Sequence, residues 1–292
     1  MVAAALLFAA QTYVGAAVCA TCHAQIAASQ AKTGHAGALK REPERWAFGS
    51  GLQAITYVSQ LDEDTYLEHG LSWYRRAGGL DLTPGHRTRE GVRYRTFAPD
   101  AAILRCFRCH STGKLRLAEG RKIEPAEPGV RCEACHGPGG DHVRDPAGSK
   151  PRNPIRLSAA AVNQLCGECH RMPPAAGTET NWDNPWNARH QPVYFSQAAC
   201  FRKSAGRLSC FTCHLPHSSE PVDANAACAT CHEAPRHRTA AAGKTCVQCH
   251  MPDVAPSPLL RFANHWIGVY GANPLRPLQQ WKRGALAPGL RE

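Results

Sequence analysis

The sequence predicts short α-helices and coil gathered around a core that the polypeptide does not itself supply, with one small antiparallel β-meander near residues 54 to 97. Three observations point there. Of 292 residues 15 are cysteine, and all but one of these recur in a single pentapeptide, C-x-x-C-H. Hydrophobic residues make up 43% and aromatics 7%, thin material for an ordinary core in a chain of this length. Period-two alternation is concentrated in one cysteine-free stretch.

The pentapeptide occurs seven times: CATCH (19 to 23), CFRCH (106 to 110), CEACH (132 to 136), CGECH (166 to 170), CFTCH (210 to 214), CATCH (228 to 232) and CVQCH (246 to 250). Chance placement would give roughly 0.04 copies. Zinc also takes C-x-x-C pairs, but it closes its tetrahedron with a second pair or spaced histidines and needs no histidine after every second cysteine. Thioredoxin-like pairs occur once per domain, and disulfide frameworks do not repeat a fixed triplet. A covalently attached haem explains every fixed position: two thiols add to the two vinyl groups, and the next residue lies under the iron as its proximal ligand. Seven haems c are therefore expected. Their thioethers fall on Cys19 and Cys22, Cys106 and Cys109, Cys132 and Cys135, Cys166 and Cys169, Cys210 and Cys213, Cys228 and Cys231, and Cys246 and Cys249. The proximal ligands are His23, His110, His136, His170, His214, His232 and His250.

Seven haems leave about 42 residues each, too few for separate domains, so the porphyrins are expected to stack and form the core. They also reinterpret the charge. A net charge of +11 would suit nucleic acid or an anionic membrane, but the propionates contribute about −14 and the ferric cores about +7, leaving about +4. Much of the Lys and Arg excess then reads as propionate partners, and nucleic acid is not expected as a partner.

Residues 1 to 17 read as an export signal or its remnant, because VAAALLFAA (2 to 10) suits an h-region and is too short to span a bilayer. No Lys or Arg precedes Lys32. Haem attachment outside the bacterial cytoplasm argues for export independently, giving a periplasmic or extracellular protein. Residues 18 to 265 are expected as a single heptahaem domain. After the first motif come 82 residues without cysteine, holding AITYVSQ (54 to 60), DTYLEHGLSWYRR (64 to 76) and GVRYRTF (91 to 97) with turn signals between them. A β-rich insert over about 45 to 100 follows. Elsewhere short helices and coil are expected, including HAQIAASQAKTGH after the first motif and a helix led by Ser158 into CGECH. Residues 266 to 292 read as a tail.

Seven irons need sixth ligands, and beyond Met1 the chain offers only Met172 and Met251 as thioethers, so bis-histidine ligation is expected to dominate. The distal candidates are His35, His142, His190, His217, His237 and His265, with His86 weaker and His69 weaker still. His142 lies six residues beyond His136. The chain would have to round a porphyrin edge to reach the same iron, so His142 is expected on a neighbouring haem. Cys200 stands outside the motifs and reads as a buried residue or free thiol.

The segment YVGAAVCATCH with His35 beyond it, GVRCEACHGPGGDHV, CGECH, CFTCHLPH, and CVQCHMP followed by FANHW resemble multihaem cytochromes of the cytochrome c554 type over about residues 13 to 270. The resemblance implies a multihaem cytochrome c fold with parallel-stacked and perpendicular haem pairs, and distal ligation by His35, His142, His217 and His265. It also implies a relation to pentahaem nitrite reductase and hydroxylamine oxidoreductase. No C-x-x-C-K motif of the nitrite reductases is present.

An electron-transfer protein, rather than an enzyme, is the leading expectation, its partners being redox proteins or quinol-oxidising membrane complexes. The alternative is a reductase or oxidase of a small nitrogen compound at one open haem, with His69, His86, Tyr74 and the arginines at 75, 76, 87, 89, 93 and 95 beside it. Self-assembly into a cytochrome filament is the third reading.

Overall fold

A computed structural model describes residues 12–88, 91–92, 94–175, 177–220, 223–232 and 243–278. The apolar run at 2 to 10, His237 and the last fourteen residues lie outside the described set. The residues expected as one domain divide by contact into two compact units, 1–157 with 215–220, and 158–214 with 221–292.

The first unit holds the meander, larger than the sequence suggests. Strands β1 (Leu39–Arg41), β2 (Trp46–Phe48), β3 (Ala54–Asp62), β4 (Thr65–Tyr74) and β5 (Gly79–Leu82) run in order, all antiparallel. A two-residue pair, β6 (Arg87–Thr88) with β7 (Gly91–Val92), precedes β8 (Arg95–Phe97), which pairs with the first half of β4 while β5 takes its second half. Alternation decides the faces: Tyr66, Ser72 and Tyr74 of β4 are buried. The β3–β4 turn is fixed by Asp62, whose carboxylate accepts the Asp64 N–H at 2.9 Å.

Leu39, Trp46, Phe48, Val58 and Tyr66 form one wall of an aromatic core, and Ile103 and Phe107 of the helix Ile103–His110 form the other. Phe107 stands edge-on to Phe48 at 5.0 Å and to Trp46 at 5.4 Å between ring centres, the arrangement that suits aromatic quadrupoles. This helix is the second C-x-x-C-H motif, and Phe107 is one of its variable positions. Ile123 closes the core, its N–H donating to the Tyr66 hydroxyl at 2.7 Å.

Ile123 belongs to a hairpin, β9 (Ser111–Leu117) with β10 (Ile123–Pro128), and a second hairpin pairs β11 (Asp253–Ser257) with β12 (Leu260–Ala263) in the other unit. Both correct the expectation of helix and coil outside the insert. Prolines at 125, 128, 256 and 258 conceal them in the sequence, since proline is confined to edges and bulges, and the registers do shift at Pro125/Glu127 and Val254/Ser257.

In the second unit the helix Ala159–His170 begins at Ser158, whose hydroxyl accepts the Ala161 N–H at 3.2 Å. Ser158→Ala is expected to cost about 1 kcal/mol in thermal or denaturant unfolding. Further along this helix Asn163 donates to the Leu208 carbonyl at 3.1 Å and accepts the Cys210 N–H at 3.0 Å, tying the fifth motif to the fourth. Residues 266 to 278, expected as tail, return on the seventh motif: Gly268 N–H donates to the His250 carbonyl at 3.1 Å, and buried Asn264 donates to the Pro274 carbonyl at 2.8 Å.

Candidate haem-binding sites

Each motif forms a helical turn, the second and fourth at the C-terminal ends of the longer helices Ile103–His110 and Ala159–His170. In the first, fifth and sixth, the histidine N–H donates to the carbonyl of the first cysteine, His23 to Cys19 at 2.9 Å, His214 to Cys210 at 2.9 Å and His232 to Cys228 at 3.0 Å. One turn sets both thiols and the imidazole on the same side, as attachment to one ring edge requires.

The histidine rings carry the more specific signal. His23 faces His142 with ring centres 6.3 Å apart, His136 faces His217 at 5.9 Å, and His214 faces His265 at 6.2 Å. The planes of the three pairs lie within 22°, 15° and 21° of parallel. A metal–imidazole bond of about 2.0 Å, with about 1.1 Å more to the ring centre, puts two imidazoles on one metal about 6.2 Å apart. The rings also present the correct nitrogen. Nδ1 donates to a backbone carbonyl in His110 (Ala38, 2.8 Å), His136 (Arg152, 2.8 Å), His142 (Ser149, 2.8 Å), His250 (Gly268, 2.8 Å) and His265 (Ala263, 3.0 Å). A carbonyl only accepts, so the proton sits on Nδ1 and the lone pair of Nε2 is left for a metal. Burial pushes His265 down to about 4. The same cause, with Arg189 beside it, brings His190 to about 4, and both rings are neutral at ordinary pH.

His142 thus faces the first motif's histidine and not its own. The GPGG turn serves a further approach: a Cβ at Gly140 would stand 2.9 Å from the Thr12 carbonyl oxygen, and Gly140 N–H donates to that oxygen at 3.0 Å. Residues 12 to 17, read from sequence as the end of an export segment, are therefore built into the first unit. Glu133, inside the third motif and 3% exposed, holds them there. Its carboxylate accepts N–H bonds from Val14 at 3.0 Å, Gly15 at 2.8 Å and Gly139 at 2.7 Å. Glu127 accepts the Ala16 N–H at 3.0 Å. Sequence reasoning missed both acids, because the N–H groups of residues 14 to 16 that they hold lie more than a hundred residues away.

First cysteines adjoin in pairs. Burial and the neighbouring Cys132 raise the Cys19 thiol to about 11, burial and Cys246 raise Cys228 to about 11, and a hydrogen bond with Cys210 raises Cys166. Cys200, half-buried, lies near Cys213 and Cys231, and burial raises its thiol.

The remaining candidates divide. Ala38 N–H donates to the His35 carbonyl at 3.1 Å, and the Ala38 carbonyl accepts from His110, which sets the His35 loop against the second motif. His190 lies near His170, whose Nδ1 is 3.2 Å from the Gln191 side-chain oxygen. His86 is fully buried within the sheet unit, its Nε2 3.1 Å from a Glu68 carboxylate oxygen that also takes Arg95 at 2.5 Å. The nitrogen a haem iron would take is spent there on a carboxylate. His69 likewise bonds the Ser59 hydroxyl at 2.8 Å.

Exposed apolar side chains such as Val18, Ile26, Ile155 and Leu215 are the kind of surface that porphyrins cover. No described helix is long and apolar enough to cross a membrane.

Comparison with known proteins agrees. The family model for cytochrome c554 and c-prime matches residues 85–137, and that for the doubled CXXCH motif matches 124–173. No curated protein matches. Among solved structures the chain is similar to the outer cell wall cytochrome OcwA, at 16% identity and TM-score 0.58, covering 87% of this chain and 79% of that one. It is similar also to an undecahaem cytochrome from the S-layer of Carboxydothermus ferrireducens, at 16% identity and TM-score 0.54, covering 89% of this chain and 52% of that one. The chain therefore spans about half the length of the S-layer protein. Its fold is that of a multihaem c-type cytochrome.

Proposed function

We propose that this chain is a heptahaem c-type cytochrome that carries electrons between redox partners through a series of mostly bis-histidine haems. The observation that carries the reading is the three facing histidine pairs, each at the spacing of two imidazoles on one iron. On this reading His142, His217 and His265 are the sixth ligands of the haems on the first, third and fifth motifs. His35 serves the second, and His190 and His237 serve haems of the C-terminal half. His86 stands outside the set. The adjoining first cysteines support close pairs of haems on motifs one and three, four and five, and six and seven.

The haems, when bound, supply one-electron carriers. The protein's part is to fix two neutral imidazoles on each iron, turn each ring by an Nδ1 bond to a carbonyl, and thereby strengthen the donor nitrogen and lower the potential. Export is part of the proposal, with any cleavage falling before Thr12. The similar structures are named for an outer cell wall and an S-layer. Redox proteins or quinol-oxidising membrane complexes are the proposed partners.

Intact mass and a haemochrome assay of the holoprotein are expected to agree on seven covalent haems, with nearly all of the ferric EPR signal low-spin. A large high-spin fraction together with turnover of nitrite or hydroxylamine would replace this reading by the open-haem enzyme. A large self-associated species would point to the filament.

A further inference from the structure

Strand register sets two charged side chains beside the second motif. Tyr66 and Glu68 of β4 pair with Phe97 and Arg95 of β8, and Glu68 pairs with Val58 of β3 on its other side. Alternation then puts Glu68 and Arg95 on the face of Tyr66, Val58 and Phe97, which packs on Ile103 and Phe107 of the motif's helix. Arg95 donates to the Glu68 carboxylate at 2.5 Å and to the Pro84 carbonyl at 2.9 Å. The turn after Pro84 delivers fully buried His86 to the same carboxylate, with Nε2 at 3.1 Å. A carboxylate only accepts, so Nε2 carries the hydrogen and Nδ1 is the basic nitrogen. Nδ1 is buried and has no hydrogen-bond partner among the described residues. It lies under Gly70, where a Cβ would stand 3.8 Å from Nδ1 and 3.3 Å from the exposed Tyr94 ring.

The cluster is electrostatically joined to a haem attachment point. Desolvation and then the Glu68 charge push the Cys106 thiol up, while Arg105 and Arg95 pull it down, so these charges lie within reach of the thiol that takes the second haem. With a neutral His86 ring, Glu68 and Arg95 balance each other. A proton on Nδ1 adds one positive charge, which Glu68 favours and Arg95 opposes. An iron that goes from ferric to ferrous removes one positive charge from the same low-dielectric region, where such charges act strongly on one another. Electron and proton therefore favour each other's binding, and the coupling is reciprocal.

We propose that His86 is a redox-linked proton site, which binds a proton at Nδ1 when the second motif's haem is reduced and releases it when that haem is oxidised. This rests on the electron-transfer reading. The step balances: a redox partner gives one electron to the ferric iron, water gives one proton to the Nδ1 lone pair, and no bond to the iron changes. The other groups that face His86 keep their charge through it, Glu68 as a carboxylate, Arg95 and Arg105 as guanidiniums and Tyr94 as a neutral phenol. Cys106 is an uncharged thioether once the haem is attached.

Redox titration of the holoprotein at a series of pH values, followed by haem absorbance, tests the proposal. One of the one-electron steps is expected to become tenfold less favourable per pH unit, about 59 mV, across the range in which histidine titrates. His86→Gln keeps an N–H for Glu68 and should flatten that step while leaving the others unchanged. Glu68→Gln should move the sloping region to lower pH by at least about one unit, because the protonated ring loses its counter-charge. Arg95→Gln should move it to higher pH, because a like charge is gone; its side chain is 46% exposed, so this variant folds. Shifts of opposite sign are a result that a structural role alone would not give. A step without slope in the unaltered protein, a slope that survives His86→Gln, or shifts of the same sign in the two charge variants overturns the proposal. So does a new high-spin signal in His86→Gln, which would make the ring an iron ligand. Failure of the electron-transfer reading would show separately, as haems that dithionite does not reduce.

Discussion

His142→Ala is expected to convert one haem from low to high spin while leaving the other six unchanged. The variant loses the imidazole that faces His23 at 6.3 Å, and no methionine or other histidine in the GPGGDHV turn can replace it. The affected haem should become five-coordinate or take water, its potential should rise, and added imidazole should restore the low-spin spectrum. The identity of that haem is open to a double-mutant test. In a Cys19→Ser, Cys22→Ser background, which carries no first haem, His142→Ala should add no high-spin signal. If the signal still appears there, His142 belongs to another iron and the pairing read from the rings is wrong.

Glu133→Ala is expected to cost about 3–5 kcal/mol of stability, among the largest single effects in the chain. The glutamate is buried and receives three backbone N–H bonds, from Val14, Gly15 and Gly139. Hydrogen bonds to a charged acceptor contribute about 1.5–3 kcal/mol each, and alanine leaves the donors without an acceptor. Glu133→Gln keeps one oxygen and should recover roughly half the loss. Denaturant unfolding of the holoprotein, read by tryptophan fluorescence, measures it. A loss below about 1 kcal/mol would mean that water reaches the three amides and that the carboxylate is dispensable.

These residues show what was legible. The motifs were readable because two thioethers and an iron ligand demand a fixed local spacing, which no tertiary context can move. The ring that His142 faces was half-readable: six residues are too few to round a porphyrin, which argues against His136 but does not name His23. His86 was not legible, because a histidine in a Pro-Gly turn looks the same whether it is aimed at a metal or buried against Glu68. Glu133 gave no sign, because its role depends on residues 14 and 15, and a variable position inside C-x-x-C-H carries no pattern of its own. The meander was legible where alternation runs long, in β3 and β4. It was lost in β1 and β2, which are three residues each and owe their pairing to the packing of Trp46 and Phe48 on Phe107.

The aromatic core around the second motif has a consequence for biogenesis. Leu39, Trp46, Phe48, Val58, Tyr66, Ile103, Phe107 and Ile123 can bury one another with no cofactor present. A chain without haem therefore carries a folded kernel that presents CFRCH on the helix Ile103–His110, whereas the other motifs lie on short turns, apart from CGECH at the end of the helix Ala159–His170. Maturation then begins from an anchored end, and each later thioether bond does the work that a hydrophobic core does elsewhere. In a strain without the attachment machinery, mild proteolysis should leave a fragment spanning about Leu39 to Pro128, and Phe107→Ala should abolish it.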